Sequence, residues 1–368
     1  MTSGAVGAVP EITAAELATV LGTEQQPDLL DVREPEEFDA WALAGARNVP
    51  LSRLAPEAHG LSPGREVVVV CASGVRSARA VRALRSAGVP AVNLAGGMLA
   101  WAAVYDTATL DLGTARVVQV RRRGKGCLSY VVGSGAEAFV VDPSLDLDHY
   151  WEVATREGWR ITRVFDTHLH ADHLSGARVL TEATGASLHL NPADGYRFGY
   201  EAIGDNEWFR LGDNEHFGVT ILAAPGHTPG STVYEVGGRA LLTGDTLFVD
   251  GVGRPDLADR SREFAADLYR SLHAKVMAMP VDATVLPAHY GDTVKVAPGE
   301  LVGARLGELR SSLEQLAWDQ DRFVDWASSR ARPRPPHYRE ILRVNAGTAS
   351  APLEDLRRLE LGPNRCVA

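Results

Sequence analysis

The stretch Thr167-His168-Leu169-His170-Ala171-Asp172-His173 determines the interpretation of the second part of this chain. Three imidazoles and one carboxylate fall within six consecutive positions, which suits a metal site better than a packed core. The apolar run at 161–165 predicts a buried strand before this stretch, and the pattern after residue 174 predicts a helix. The polar side chains therefore lie on a strand-to-helix loop, where α/β proteins place their chemistry.

Three later segments repeat the same arrangement, an apolar strand followed by a polar side chain on a turn of small residues. They place His227, Asp245 and His289 directly after predicted strands. Together with the first stretch, these segments account for five of the eleven histidines of the chain. Unrelated structural histidines would not be expected in four matching loops, so we interpret the set as one metal site.

This series of motifs resembles the metallo-β-lactamase superfamily over about residues 113–345. The resemblance implies an αβ/βα sandwich that holds its metal at one edge. Two metal arrangements remain open on this resemblance, because both use residues from the same loops.

In the first arrangement, two zinc ions share the donors, with Asp245 bridging them. The remaining donors divide between the ions as His168, His170 and His227 on one side and Asp172, His173 and His289 on the other. Glyoxalase II-like thioester hydrolases work this way, with a metal-activated water.

In the second arrangement, only His168, His227 and Asp245 bind a metal, one Fe(II) per chain. Two histidines and one carboxylate are typical of non-haem Fe(II) oxygenases, in which open positions remain for dioxygen and substrate. The persulfide dioxygenases of the superfamily use this set. The other four residues, namely His170, Asp172, His173 and His289, would then orient the ligands.

The segment Gly253-Arg254-Pro255-Asp256-Leu257 favours iron, since it resembles the Gly-Arg-x-Asp element of persulfide dioxygenases. Glyoxalase II proteins tend to carry aromatic and glutamate residues there. Arg254, Asp256 and Tyr290 are candidate substrate-binding residues, although a structural pair between Arg254 and Asp256 is an equally open alternative. We therefore expect oxidation of a small thiol persulfide, such as glutathione persulfide, by dioxygen to sulfite.

The first third of the chain contains a second candidate site. Four valines at 67–70 predict a central parallel strand, followed by the loop Cys71-Ala72-Ser73-Gly74-Val75-Arg76-Ser77 and a helix. Loop amides, the helix N-terminus and Arg76 would all favour the thiolate of Cys71. A thiolate nucleophile can accept sulfur as a persulfide. The alternative, a buried structural cysteine, gives Gly74 and Arg76 no role.

Residues 8–103 resemble a single-domain rhodanese. Besides the cysteine loop, the resemblance rests on Asp31-Val32-Arg33-Glu34-Pro35-Glu36-Glu37-Phe38, Gly45-Ala46-Arg47-Asn48-Val49-Pro50 and Gly96-Gly97-Met98-Leu99-Ala100-Trp101. It implies a parallel sheet with flanking helices, and sulfur transfer by Cys71 with thiosulfate, sulfite or a persulfide. A domain that handles sulfane sulfur is a sensible neighbour for one that oxidises persulfides.

The length, net charge and cysteine count limit the classes of partner that the protein can bind. A length of 368 residues fits two domains, and a net charge of −10 argues against nucleic acid. Three cysteines provide no disulfide framework, and neither a signal peptide nor a membrane-length apolar run is visible. We therefore expect a cytoplasmic protein with small-molecule partners, and a homo-oligomer would be unsurprising.

Three connecting segments are expected to contain no helix or strand that packs against a domain core. Residues 102–112 lack periodicity and are interpreted as a linker, and residues 349–368 as a tail. The turn at 121–126 carries three arginines and a lysine, which predicts a solvated turn or, alternatively, a site for the carboxylates of an acidic thiol.

Overall fold

The computed structural model describes residues 8–54, 64–256, 260–291, 294, 296–330, 334 and 337–362. These residues form a five-stranded sheet near the N-terminus and two further sheets of seven and six strands. The predicted α/β fold, a parallel sheet followed by an αβ/βα sandwich, is confirmed. None of the helices in these ranges has the length and apolar character needed to cross a bilayer.

The N-terminal sheet is parallel throughout, with the strand order β1-β5-β4-β2-β3. Its elements are β1 Glu11–Ile12, α1 Ala14–Val20, β2 Asp28–Asp31, α2 Pro35–Ala40, β3 Arg47–Asn48, β4 Val67–Val70, α3 Val75–Ser86, β5 Ala91–Leu94 and α4 Gly97–Trp101. Val68 and Val70 pack with α1 and α4 on one face, and Val67 and Val69 pack with α3 on the other. The uninterrupted valine run is thus explained by burial on both faces.

The seven-stranded sheet has the order β12-β11-β10-β9-β8-β7-β6. Its strands and helices are β6 Tyr105–Asp111, β7 Arg116–Arg122, β8 Cys127–Ser134, β9 Glu137–Val141, α5 Asp148–Glu157, β10 Arg160–Phe165, α6 Ala177–Thr184, β11 Ser187–Leu190 and β12 Glu201–Ala202. Strands β9 to β12 pair in parallel, and the remaining pairs are antiparallel.

The six-stranded sheet runs in the order β13-β14-β15-β16-β17-β18. It contains β13 Trp208–Arg210, β14 Gly218–Ala223, β15 Thr232–Val236, β16 Ala240–Gly244, β17 Thr284–Pro287 and β18 Ala304–Arg305. The helices that follow β16 in the chain are α7 Ser261–Ala274, α8 Leu306–Ser312, α9 Gln320–Ser329, α10 Tyr338–Asn345 and α11 Leu353–Leu359.

The core of the second domain lies between its two sheets. Phe139 and Tyr130 from the seven-stranded sheet join Ile221 and Tyr234 from the six-stranded sheet in one buried cluster. A second cluster places α5 and α6 on the outer face of the first sheet, and a third places α7 and α9 on the outer face of the other. This helix–sheet–sheet–helix layering leaves the strand-end loops at an edge of the sandwich.

The predictions of an unstructured linker and an unstructured tail were wrong. Residues 105–111, expected within a linker, form β6 and pair with β7 along its full length. Residues 353–359, expected within a tail, form α11, and Glu360 after it is only 3% exposed. For β6, the long-range partner rather than local periodicity determines the structure.

The basic turn is not solvated, because Arg121, Arg122 and Lys125 are all buried. Arg121 pairs with Asp106 at 2.6 Å, and Arg122 pairs with Glu360 at 3.0 Å. The turn also contacts the N-terminal domain, where Arg122 Nε donates to the Ala102 carbonyl at 3.0 Å. The turn thus binds strand β6, the C-terminal segment and the end of the N-terminal domain.

Candidate metal centre and sulfur-transfer loop

The seven predicted metal donors lie on loops that follow β10, β14, β16 and β17. Every one of them is at most 3% exposed: His168, His170, Asp172, His173, His227, Asp245 and His289. Charged and imidazole groups are seldom buried in such number unless they bind one another or a metal. The four loops meet at one edge of the sandwich, as the repeated strand-then-ligand pattern indicated.

Three of these residues converge most closely. One donor atom each from His168, His227 and Asp245 lies within 4.8 Å of the other two. Asp245 Oδ2 is 3.4 Å from His227 Nε2 and 3.8 Å from His168 Nε2. All three atoms are buried and lack a hydrogen-bond partner. A bound cation would satisfy these atoms, and the donor set fits Fe(II) or another divalent transition metal.

Neighbouring groups fix the orientation of the two imidazoles. His227 Nδ1 donates to the Arg254 carbonyl at 2.9 Å, which leaves the Nε2 lone pair facing the converging atoms. Thr167 Oγ1 donates to Asp142 at 2.9 Å and lies 2.9 Å from His168 Nδ1, so it accepts the proton of that nitrogen. Burial and the nearby His170 also hold the pKa of His168 well below its usual range, which favours the neutral, metal-binding form.

The two carboxylate oxygens of Asp245 have different partners. Oδ2 faces His168 and His227, whereas Oδ1 accepts a hydrogen bond from His289 Nδ1 at 2.7 Å. Burial alone would raise the pKa of Asp245, but the charge of His289, followed by that of His168, holds it well below the usual range. His289 therefore contacts one candidate ligand directly and favours its ionised form.

The other predicted donors do not form a second group of three. Among the described residues, the three-donor groups are His168 with His227 and Asp245, and Asp142 with Asp166 and His170. His170 Nε2 lies 2.9 Å from Asp142 Oδ1, and its Nδ1 lacks a partner. Burial lowers the pKa of His170, but Asp142 outweighs it and raises this pKa to about 9. His289 Nε2 lies 3.4 Å from Asp172 Oδ2, and His173 Nδ1 lies 4.0 Å from Glu360 Oε1.

Two of the candidate substrate-binding residues, Arg254 and Asp256, bind each other. Arg254 is 1% exposed and holds Asp256 in two hydrogen bonds, of 2.6 and 2.7 Å. This is the structural pair that the sequence left open, and the same arginine orients His227 through its carbonyl. Tyr290 is 9% exposed, its amide donates to the Gly126 carbonyl at 3.2 Å, and burial raises its pKa to about 12. A substrate role for these three residues remains a prediction.

Cys71 follows β4 and is 1% exposed. Ser77 Oγ donates to its sulfur at 3.1 Å. Burial raises the pKa of Cys71, but the Ser77 hydroxyl and the amides of Ser77, Ser73 and Gly74 outweigh it and lower this pKa. Gly74 is left-handed, with φ of 87°, as the tight turn into α3 requires. The loop thus stabilises a thiolate mainly by hydrogen bonds.

Arg76 forms hydrogen bonds to Glu37 and interacts with Cys71 through charge alone, and Glu37, followed by the charge of Cys71, raises the pKa of Arg76. Its guanidinium forms two hydrogen bonds to Glu37, of 2.6 and 2.7 Å. The pair joins the cysteine loop to α2 and leaves Ser77 as the side chain that contacts the thiol. Ser77 was missed because a serine in a first helical turn is ordinarily read as a helix-start residue.

Two aspartates that sequence reasoning missed support the metal loop. Asp142, at the end of β9, accepts from the Thr167 amide at 2.6 Å and has a left-handed φ of 54°. Asp194 accepts from the amides of Leu169 and Gly230, each at 2.7 Å, and so ties the His168 loop to the His227 loop. Asp142 shares the strand-then-polar-residue pattern of the ligands, which was the available signal.

Comparison with known proteins agrees with this architecture. Residues 13–104 match the rhodanese-like domain and residues 122–289 match the metallo-beta-lactamase superfamily. The mouse protein named persulfide dioxygenase ETHE1, mitochondrial, is 30% identical over 196 residues, which cover 48% of this chain and 70% of that protein. The chain belongs to the ETHE1 family of the metallo-β-lactamase superfamily. The predicted fusion with a rhodanese-like domain is confirmed.

One solved structure and one further relative are also similar to this chain. The crystal structure of ETHE1 from Myxococcus xanthus superposes with a TM-score of 0.56 at 25% identity, over 63% of this chain and 99% of that one. A hydroxyacylglutathione hydrolase from Anaeromyxobacter dehalogenans is 39% identical over 135 residues, covering 36% of this chain and 51% of that protein. The family and the rhodanese-like domain together indicate an enzyme of sulfur metabolism.

Proposed function

We propose that this protein oxidises a low-molecular-weight thiol persulfide, such as glutathione persulfide, with dioxygen at a single iron, and that Cys71 transfers sulfur. In the first reaction the terminal sulfur gains three oxygen atoms, two from dioxygen and one from water. The thiol leaves, and dioxygen accepts the four electrons that the sulfur loses. The products are sulfite and the free thiol.

The observation that carries the single-iron proposal is the arrangement around Asp245. Its Oδ1 is already bonded to His289 at 2.7 Å, whereas a two-ion site would need this carboxylate to bridge. Within the described residues, neither group of three close donors includes Asp172, His173 or His289. A ferrous ion held by His168, His227 and Asp245 would supply dioxygen activation. The name of the mouse relative supports the same reaction.

The Cys71 loop supports the second activity. A buried thiol that accepts a hydrogen bond from Ser77 is biased toward thiolate, the form that attacks sulfane sulfur. With thiosulfate, attack by Cys71 breaks the sulfur–sulfur bond, releases sulfite and leaves a cysteine persulfide. An acceptor thiol then removes the outer sulfur as its own persulfide. The reverse direction joins sulfite to sulfane sulfur as thiosulfate, and both fit the same loop.

The test separates the two sites. Protein produced with iron and without added zinc should contain about one iron per chain and consume oxygen when given glutathione persulfide. His168→Ala should abolish oxygen uptake and leave sulfur transfer from thiosulfate intact, while Cys71→Ser should do the opposite. His216→Ala, which changes an exposed histidine outside the site, is the matched control. Loss of both activities in either variant would refute the two-site proposal.

A dinuclear zinc thioester hydrolase is the alternative, favoured by the identity to the hydroxyacylglutathione hydrolase. It predicts about two zinc ions per chain, hydrolysis of a glutathione thioester and no oxygen uptake. In that case Asp172→Asn would remove one of the two metals. Under the iron proposal, the same variant would retain the single metal.

A further inference from the structure

The C-terminal segment reaches back over the metal-ligand loop. Asn345, the last residue of α10, is 8% exposed, and Glu360, directly after α11, is 3% exposed. Helix α11 itself has no buried residue, so ordinary helix packing does not account for the burial of Glu360. Both residues instead contact the loop between β10 and α6, which carries His168, His170, Asp172 and His173.

Asn345 bridges the backbone of this loop. Its side-chain Nδ2 donates to the carbonyls of His170 and His173, at 2.9 and 2.8 Å. Its Oδ1 accepts from the Ser175 amide at 3.0 Å. One side chain therefore holds three backbone groups that span six positions, and Asp172 and His173 lie within this span.

Glu360 completes this support with its carboxylate. Oε1 accepts from the Leu174 amide at 2.8 Å, and Oε2 lies 3.0 Å from Arg122. The Glu360 carbonyl also accepts from Lys125 at 2.9 Å. Burial lowers the pKa of Arg122, but Glu360 outweighs it and raises this pKa. The Glu360 side chain thus pairs with a buried arginine while it holds the loop.

The loop contains neither a helix nor a strand, and besides forming an isolated bridge between Ser144 and Ser175 its backbone binds side chains from other segments. It lies between the end of β10 at Phe165 and the start of α6 at Ala177. Four of its backbone groups, the His170 and His173 carbonyls and the Leu174 and Ser175 amides, are bonded to Asn345 or Glu360. Groups that orient metal ligands commonly change metal affinity by 10–100-fold when they are removed.

We infer that Asn345 and Glu360 are positioning residues that hold the ligand loop in its metal-binding geometry. Metal affinity therefore depends on the C-terminal segment. The inference rests on the proposed metal site, but not on which reaction that site catalyses. It predicts that the segment acts on the ligands in addition to stabilising the fold.

The test measures metal binding by the full-length protein with Co(II) as the probe. Asn345→Leu, which retains the approximate size but loses all three bonds, and Glu360→Gln, which loses the charge, should each weaken Co(II) binding about 10–100-fold and alter its visible absorption spectrum. Glu354→Gln, on the exposed part of α11, is the matched control and should match the wild type in both measurements.

Thermal unfolding of the metal-free proteins separates positioning from stability. If the variants unfold at lower temperature but bind Co(II) with wild-type affinity and spectrum, the inference is wrong. Should Asn345→Leu fail to fold, Asn345→Asp, which retains the acceptor for Ser175 and loses both donors, decides the question by the same measurements. If the wild type binds no Co(II), the proposed metal site itself fails, which is a different result from equal binding by wild type and variants.

Discussion

The Ser77→Ala substitution tests how the chain activates Cys71. Ser77 is fully buried and its hydroxyl lies 3.1 Å from the sulfur, so the variant removes one hydrogen bond to the thiolate without adding bulk. A hydrogen bond to a charged group contributes about 1.5–3 kcal/mol. The amides of Ser73, Gly74 and Ser77 remain in place, so the lower end of this range applies. At about 1.4 kcal/mol per tenfold change, the thiolate population falls by about tenfold at a pH below the thiol's pKa.

The assay is the rate of Cys71 alkylation by iodoacetamide as a function of pH. Because the Ser77 hydroxyl favours the charged form, its loss raises the pKa of Cys71 and moves the profile to higher pH. Wild type and variant should differ about tenfold near neutral pH and converge in strong alkali, where both thiols are ionised. Ser73→Ala, which changes an exposed side chain in the same loop, is the control. An unshifted profile in Ser77→Ala would refute the assignment of Ser77 as the activating group.

Other perturbations follow from the same contacts. Thr167→Val removes the partner of His168 Nδ1 and should weaken metal binding about 10–100-fold in a chelator competition, with unchanged affinity counting against the proposed orientation. Trp41→Phe, which loses the 2.9 Å bond to the Gly124 carbonyl, should cost about 0.5–1.5 kcal/mol in urea unfolding. Gly124→Ala should cost more, because its Cβ would lie 2.3 Å from the Trp101 carbonyl oxygen. Metal at 100-fold above its Kd should stabilise the protein by about 2.7 kcal/mol, and a chelator should remove that gain in a thermal scan.

The parts of the molecule that could be predicted from sequence are those whose signals are local. The valine run of β4 and the cysteine after it lie in one short stretch, and so do the residues from His168 to His173. Each ligand loop follows its own strand, so its place at the sheet edge comes from strand direction alone. The resemblance to two families then supplied the order of the elements.

The parts that were missed depend on contacts between distant segments. The Leu174 amide and Glu360 are 186 positions apart, and no local pattern marks such a contact. Strand β6 has no periodic pattern, so only its pairing with β7 identifies it as a strand. The basic turn is buried against partners from elsewhere in the chain. The partner of Arg76 was not predicted for the same reason, since Glu37 lies on another helix.

The turn at Gly124 contacts both domains, which limits where the chain can be cut into separate fragments. On one side of this turn, the Trp41 indole donates to the Gly124 carbonyl. On the other side, the turn bonds to both neighbours of His289. The Leu128 amide donates to the Ala288 carbonyl, and the Tyr290 amide donates to the Gly126 carbonyl. A fragment that began at β6 would lose the first of these supports while retaining the second. Removing the rhodanese-like domain would therefore loosen the turn that contacts both neighbours of His289, the residue that holds Asp245, so each domain stabilises the other.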